Sequence, residues 1–296
     1  MPLHEIAAVG AAMCWAVTGL VSQWPAQRLG AFGFTWLRQS LVAVMLLAVV
    51  AATGRWHGVQ MDDFLRLALS GFIGIFLGDT LLYFALLRLG PRRSGALFAL
   101  NAPLAALLGW VTLGEDLTPH IVGGIILTTL GVALAVLGRP GRSGQHRFEK
   151  IEGPVWIGVG FGILAAVGQA VGSLIARPVM ASGFDPLAAS MIRVCIAVLG
   201  LSLLISLPFK AVKPQGRMTP KVVALSALSG FMAMGVGMTL LMFALQGGKV
   251  GVVSTLSALS PVLILPVIWL VTGMRPSATS WAGALVAVAG MALIFL

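Results

Sequence analysis

The sequence predicts an all-α integral membrane protein: ten transmembrane helices arranged as two inverted five-helix repeats around a central cavity. Three observations carry that prediction. The 296 residues are 58% hydrophobic and only 9% charged, with a mean hydropathy of +1.00, whereas a water-soluble domain carries about 25% charged residues. The apolar residues fall in continuous runs of about 20, the length a helix needs to cross a bilayer. A membrane β-barrel would instead alternate in segments of about 10. Finally, one stretch is written twice. "SGFIGIFLGDTLLYFAL" at 70–86 returns as "SGFMAMGVGMTLLMFAL" at 229–245, with ten of seventeen positions identical.

Breaks at glycine, proline and charge clusters divide the chain into its elements. The first segment, 3–22, follows an N-terminus with His4 and Glu5 but no Lys or Arg. It lacks the basic region of a cleaved signal peptide and reads as a retained helix. The second, 34–53, opens on "WLRQS" with Arg38. The third, 64–87, holds the first copy of the duplicated stretch. The fourth, 93–113, follows a basic corner and contains Asn101 and Pro103. The fifth, 119–138, is spaced by Gly124 and Gly131. The polar run "GRPGRSGQHRFEKIEGP" then reads as a cytoplasmic linker, 139–153, between a first unit, 1–138, and a second, 154–296. The second unit repeats the order: 154–175 with Gln169, 186–208 with Arg193, 220–245, 250–272 with Ser260 and Pro261, and 277–296 with Gly283 and Gly290.

The matches recur in the same order, several at a spacing of 159 residues: Gly124 with Gly283, Gly131 with Gly290, and "LFAL" with "LSAL". An odd number of helices per copy turns the second copy upside down. Many secondary transporters follow this plan, with the substrate near the midplane between the repeats.

The net charge of +10 is not a nucleic-acid signal. Thirteen Lys and Arg lie in the loops on one face and four on the other. The positive-inside rule places the thirteen in the cytoplasm and both termini outside, in a multi-pass protein of the inner membrane. Cys14 and Cys195 fall inside apolar runs and read as small buried residues. The four histidines are scattered over different loops and ends, which argues against a membrane-embedded enzyme. No G-x-x-x-x-G-K-[ST] occurs, so an ATP motor is not expected, and neither a metal nor another cofactor is expected.

At these residues the chain resembles the EamA branch of the drug/metabolite transporter superfamily. The carrying features are Arg38 and Arg193 near the starts of equivalent helices and the "F-A-L" that closes the third helix of each repeat. To these add Pro103 and Pro261 in the fourth, and "LGEDLTPHIVGGIILTTLGVALA" at 113–135. Met274 stands near where the first repeat has Glu115, a departure that confines any role of that carboxylate to one half. The resemblance implies alternating-access export of amino acids, preferably aromatic or large apolar ones, or of organic cations. Within the family the layout is similar to its exporters of aromatic amino acids and methyl viologen. The expected partners are a small-molecule substrate, membrane lipid and protons, with no nucleic acid, and the expected functional unit is a monomer.

Asp79 is the only carboxylate well inside an apolar segment. At that depth it should face the bundle interior or a wet cavity. It could bind an ammonium group or carry a proton, or it could only fix helix packing. Tyr83, the one tyrosine, shares its helix face at i+4. The second copy replaces these two by Met238 and Met242, and flexible thioethers suit a wall that accepts varied apolar ligands. Asn101 and Ser260, each beside a proline that frees a backbone carbonyl, are candidates for substrate contact, with Pro103 and Pro261 as hinges. Trp15 and Gln169, inside the first helix of each unit, complete the candidate substrate-binding set. Arg38 and Arg193 lie several residues inside their helices and read either as side chains that snorkel to the headgroups, the reading preferred here, or as groups that bind a substrate carboxylate.

Overall fold

The computed structural model of the chain describes residues 3–56, 59–137, 154–209, 212–272 and 277–294. The predicted linker 139–153 and Met274 lie outside the described residues. Among these residues, eight helices are long and apolar enough to cross a membrane, and two shorter apolar ones, Leu3–Thr18 and Ala278–Ile294, accompany them.

α1 (Leu3–Thr53) carries the first two spans, divided by Gly30 with φ 73° and ψ 164°, a conformation open to glycine. The loop expected at 23–33 is therefore a one-residue break in a helix. Leu29, Phe34, Leu37 and Val222 bury together there, with Trp24 packed against them. That small core holds the chain helical up to the turn.

The third span consists of α2 (Met61–Ser70), a π-helical segment π1 (Gly71–Leu77) and the start of α3 (Gly78–Phe98). α3 runs on past Pro91 into the fourth span. The chain then breaks at Ala99–Leu100 before α4 (Asn101–Leu113), and α5 (Pro119–Leu137) completes the first unit.

In the second unit, α6 (Val155–Ala181) precedes α7 (Pro186–Ser206). Asp185 caps α7 by accepting from the N–H groups of Leu187 and Ala188, the usual service of an Asp at that position. The eighth span joins α8 (Pro220–Gly230), π2 (Phe231–Gly237) and α9 (Met238–Gly247). α10 (Val250–Ser257) and α11 (Ser260–Thr272) form the ninth, broken at Ala258–Leu259, and α12 (Ala278–Ile294) the tenth. The break at Ala258–Leu259 stands 159 residues after the one at Ala99–Leu100, so the duplication is structural as well as textual. Pro103 and Pro261 sit in the first turn after each break. A missing N–H costs nothing there, so they open the second half-helices rather than kink a continuous one.

The two π-segments fall inside the two copies of the duplicated stretch. In each, an N–H reaches the carbonyl five residues back: Gly78 to Ile73, and Met238 to Ala233. Such segments are rare and often stand at functional sites. Each lies against helices of the other repeat. Ser70 Oγ donates to Gly172 O at 2.5 Å, and a Cβ on Gly71 would sit 2.6 Å from Arg193 O. Reciprocally, Trp15 Nε1 donates to Ala233 O at 2.9 Å, and a Cβ on Gly230 would sit 2.9 Å from Arg38 O.

α5 and α12, repeat-equivalent helices, pack on each other through small residues. A methyl group at Gly131 would run into the Ala287 backbone, and one at Gly283 into that of Ala135. Such close approach is how helices associate in lipid, where apolar burial alone gives no preference. The outer surface keeps large apolar side chains exposed, among them Leu270, Leu285 and Leu203, as a lipid-facing surface should.

Candidate functional site

π1 delivers Asp79 and Tyr83 to the interface between the repeats, in the first turns of α3. Both are partly buried. The second half of α1 comes alongside with three polar residues from the "TWLRQS" stretch. Gln39, fully buried, donates from Nε2 to Asp79 Oδ2 at 3.2 Å. Thr35, also fully buried, donates from Oγ1 to Tyr83 Oη at 2.6 Å. Phe32 meets the Tyr83 ring edge-on, with centroids 5.8 Å apart. Arg38 and Arg193, one from each repeat, both act electrostatically on Asp79. Asp79 and Tyr83 are thus brought together as the i+4 spacing predicts. Thr35 and Gln39 were missed, although their signal was present: two polar side chains four residues apart in an apolar run.

π2 delivers Met238 and Met242 to the equivalent place on α9, and here the structure departs from expectation. The methionines do not form an open wall: they are 3% and 0% exposed. Their sulfurs lie 3.6 and 3.1 Å from Nη1 of Arg193. Arg193 itself does not snorkel to the headgroups but is 0% exposed. The reason is positional. Its backbone packs on Gly71 and its Nη2 reaches the bare backbone at Gly74, so the side chain runs inward between π1 and α9.

The remaining candidates are spread around this centre. Trp15 is tied to π2 through Ala233 O. Gln169 is half-buried on the stretch of α6 that faces Gly78. Asn101, 5% exposed, donates Nδ2 to Phe98 O at 2.7 Å, so its amide bridges the helix break and serves the backbone first. Ser260 is half-buried at the first position of α11. Around Asp79 several buried polar atoms have no partner among the described residues: Gln39 Oε1, Thr80 Oγ1, Arg38 Nε, and Arg193 Nε and Nη2. Native interiors pair nearly all such atoms, so this region is short of internal hydrogen-bond partners among the described residues.

On the face that carries the N-terminus, the two repeats are joined by charge. Glu115, between α4 and α5, accepts from Val250 N at the start of α10 with both oxygens, at 3.0 and 2.8 Å. Arg177 Nε lies 3.6 Å from it. Lys249 Nζ donates to Asp116 O, and Arg55 pairs with Asp185 at 2.8 Å. Burial pushes the Glu115 carboxyl above the ordinary glutamate range, against the opposing pull of Val250 N–H, Arg177 and Lys249. Among the described residues no group of three His, Cys, Asp or Glu side chains gathers to hold a metal.

The threonine/homoserine exporter RhtA of Escherichia coli K12 is 33% identical over 136 residues. The same protein from strains O6:H1 and O157:H7 matches equally. The match spans 44% of this chain and 44% of each relative's length. A solved crystal structure of a protein with 20% identity superposes with a TM-score of 0.78, covering 98% of this chain and 95% of the other, which bears out the fold. The sequence also matches the EamA-like transporter family over residues 3–137 and 156–296, the greater part of the chain and both repeats. The chain belongs to the EamA-like transporter family and is a multi-pass membrane protein.

Proposed function

We propose that this transporter exports amino acids by alternating access, with Asp79 as the group that meets the substrate's ammonium or carries a coupled proton. One observation carries the reading. Asp79, the carboxylate in the middle of the third span, stands two residues past the end of π1, is held by Gln39 from the neighbouring helix, and lies where the repeats meet. Tyr83, one turn along from Asp79, packs on Phe32, which in turn packs on Phe84, and this aromatic cluster favours aromatic or large apolar side chains. A second reading, small hydroxylated amino acids, draws on the threonine/homoserine exporters that share 33% identity over part of the chain.

The wider frame is proposed with it. Units 1–138 and 154–296 act as the two rocking bodies around Asp79, Tyr83, Trp15, Gln169, Ser260, Met238 and Met242. Asn101 with Pro103, and Pro261, serve as hinges at the helix breaks. The chain works as a monomer in the inner membrane, with both termini outside.

A flux screen in proteoliposomes tests it, with phenylalanine, tryptophan, threonine, homoserine and methyl viologen as probes. Losing a charge-assisted contact costs about 1.5–3 kcal/mol, or roughly ten- to hundredfold in rate. Asp79→Asn is therefore expected to lower amino-acid flux at least about tenfold, and Tyr83→Phe to lower it less. If neither substitution alters the flux of any carried probe, the site lies elsewhere. Flux that ignores an imposed pH gradient would remove the proton and leave a passive facilitator.

A further inference from the structure

We propose that Arg193 recognises a carboxylate on the transported molecule, so that the site admits carboxylate-bearing solutes and turns away bare organic cations. The proposal rests on the reading of the Asp79 region as the substrate site, but its own observations are separate.

The first is the state of the guanidinium. Arg193 is 0% exposed and stands in the seventh span, Pro186–Ser206. Charged side chains at such depth are rare and ordinarily paired. This one has no ion-pair partner among the described residues. One corner, Nη1, rests on the sulfurs of Met238 and Met242, which are weak, neutral acceptors. The other two nitrogens, Nε and Nη2, have no partner.

The second is which nitrogens those are. Nε–H and the adjacent Nη2–H point the same way and form the side-on edge of the guanidinium. A carboxylate fits that edge with two parallel hydrogen bonds. The free part of Arg193 is therefore a complete carboxylate-binding fork and not a leftover atom. Gly74 lies beside Nη2: a Cβ there would stand 3.3 Å from Nη2 and 3.1 Å from Gly172 Cα, so any side chain at this position would press on the fork.

The third is the charge count. Asp79 feels both Arg38 and Arg193, so two cations stand against one anion at the interface of the repeats. A site with that balance repels a solute that brings only positive charge. A solute with its own carboxylate completes the neutralisation, and an amino acid does so while leaving its ammonium for Asp79. The methionines hold the guanidinium in place without competing for its fork.

The test compares three probes in proteoliposomes: phenylalanine, its decarboxylated amine phenethylamine, and N-acetylphenylalanine, which keeps the carboxylate and lacks the ammonium. The wild-type protein is expected to carry phenylalanine at least about tenfold faster than the amine, since two charge-assisted hydrogen bonds are lost without the carboxylate. Arg193→Gln is expected to abolish that preference and Arg193→Lys, which keeps the charge and loses the fork, to restore part of it. An amine carried as fast as phenylalanine by the wild type overturns the proposal, with no substitution needed. So does an Arg193→Gln protein that keeps both flux and preference, which would leave amino-acid export itself standing. Carriage of N-acetylphenylalanine without phenylalanine, lost in Arg193→Gln, would sustain the carboxylate site and remove the amino-acid reading.

Discussion

At the scale of single residues, the informative side chains are polar ones spent on the other repeat's backbone. Trp15 is the clearest. Its indole N–H reaches Ala233 O, the carbonyl that already accepts the π-type bond from Met238. Trp15→Phe keeps an aromatic ring but removes the N–H donor together with part of the ring that packs at Gly237. A net hydrogen bond is worth about 1 kcal/mol, so a drop of a few degrees in the thermal unfolding midpoint is expected in detergent; no change would mean that the bond does not hold π2. Asp79 and Tyr83 were legible in the sequence because polarity inside an apolar run has few explanations. Arg193 was not: its distance from the helix start fits a headgroup contact as well as a buried one. Only the neighbouring glycines, Gly71 and Gly74 on another helix, decide between them.

At the scale of elements, spacing predicts contact where both faces are made of small residues. The glycines at 124, 131, 283 and 290 were visible as a repeat, and they became the α5–α12 seam. Gly131→Ala places a methyl group against the Ala287 backbone and is expected to cost about 1–3 kcal/mol as overpacking. Gly160→Ala is the control: no neighbour lies within 4 Å of the added Cβ, and replacing a helical glycine stabilises by up to about 1 kcal/mol. Unfolding midpoints that fall for the first and hold or rise for the second are the expected pair. The π-segments were not legible, because apolar periodicity does not separate five-residue hydrogen bonding from four over one turn. Their trace was the repeated "SGF" followed by glycines, which the contacts of Gly71 and Gly230 explain.

At the scale of the molecule, the ion pairs Arg55–Asp185 and Arg177–Glu115 join one repeat to the other on the terminus-bearing face. Glu115 gives this closure a sign. Its carboxyl titrates above the ordinary range because burial disfavours the charged form, so the folded state binds its proton more tightly than the unfolded one. By linkage the stabilisation is full below the ordinary glutamate range and fades as pH rises through the raised value. Glu115→Gln stays neutral and still offers a carbonyl to Val250 N–H. The midpoint of this variant minus that of the wild type is therefore expected to grow as pH rises from 4 to 7, and a difference that ignores pH would assign Glu115 no such part. The overall plan was readable because duplication leaves many coordinated marks; these ion pairs were not, because Arg55, Glu115, Arg177 and Asp185 lie far apart in the sequence and their meeting depends on the whole bundle.

The exchanged contacts at the two π-segments bear on inheritance. At the π-segments each five-helix unit supplies a donor and bare glycine surface to the other, so these contacts need an antiparallel pair. Two identical copies could satisfy that requirement, but every feature of the interface would then occur twice. Joining the copies in one chain removed the constraint of sameness: one copy could hold Asp79 and Tyr83 while the other held Met238 and Met242 beside Arg193. The departure from symmetry at the centre is thus a property that two identical copies could not have.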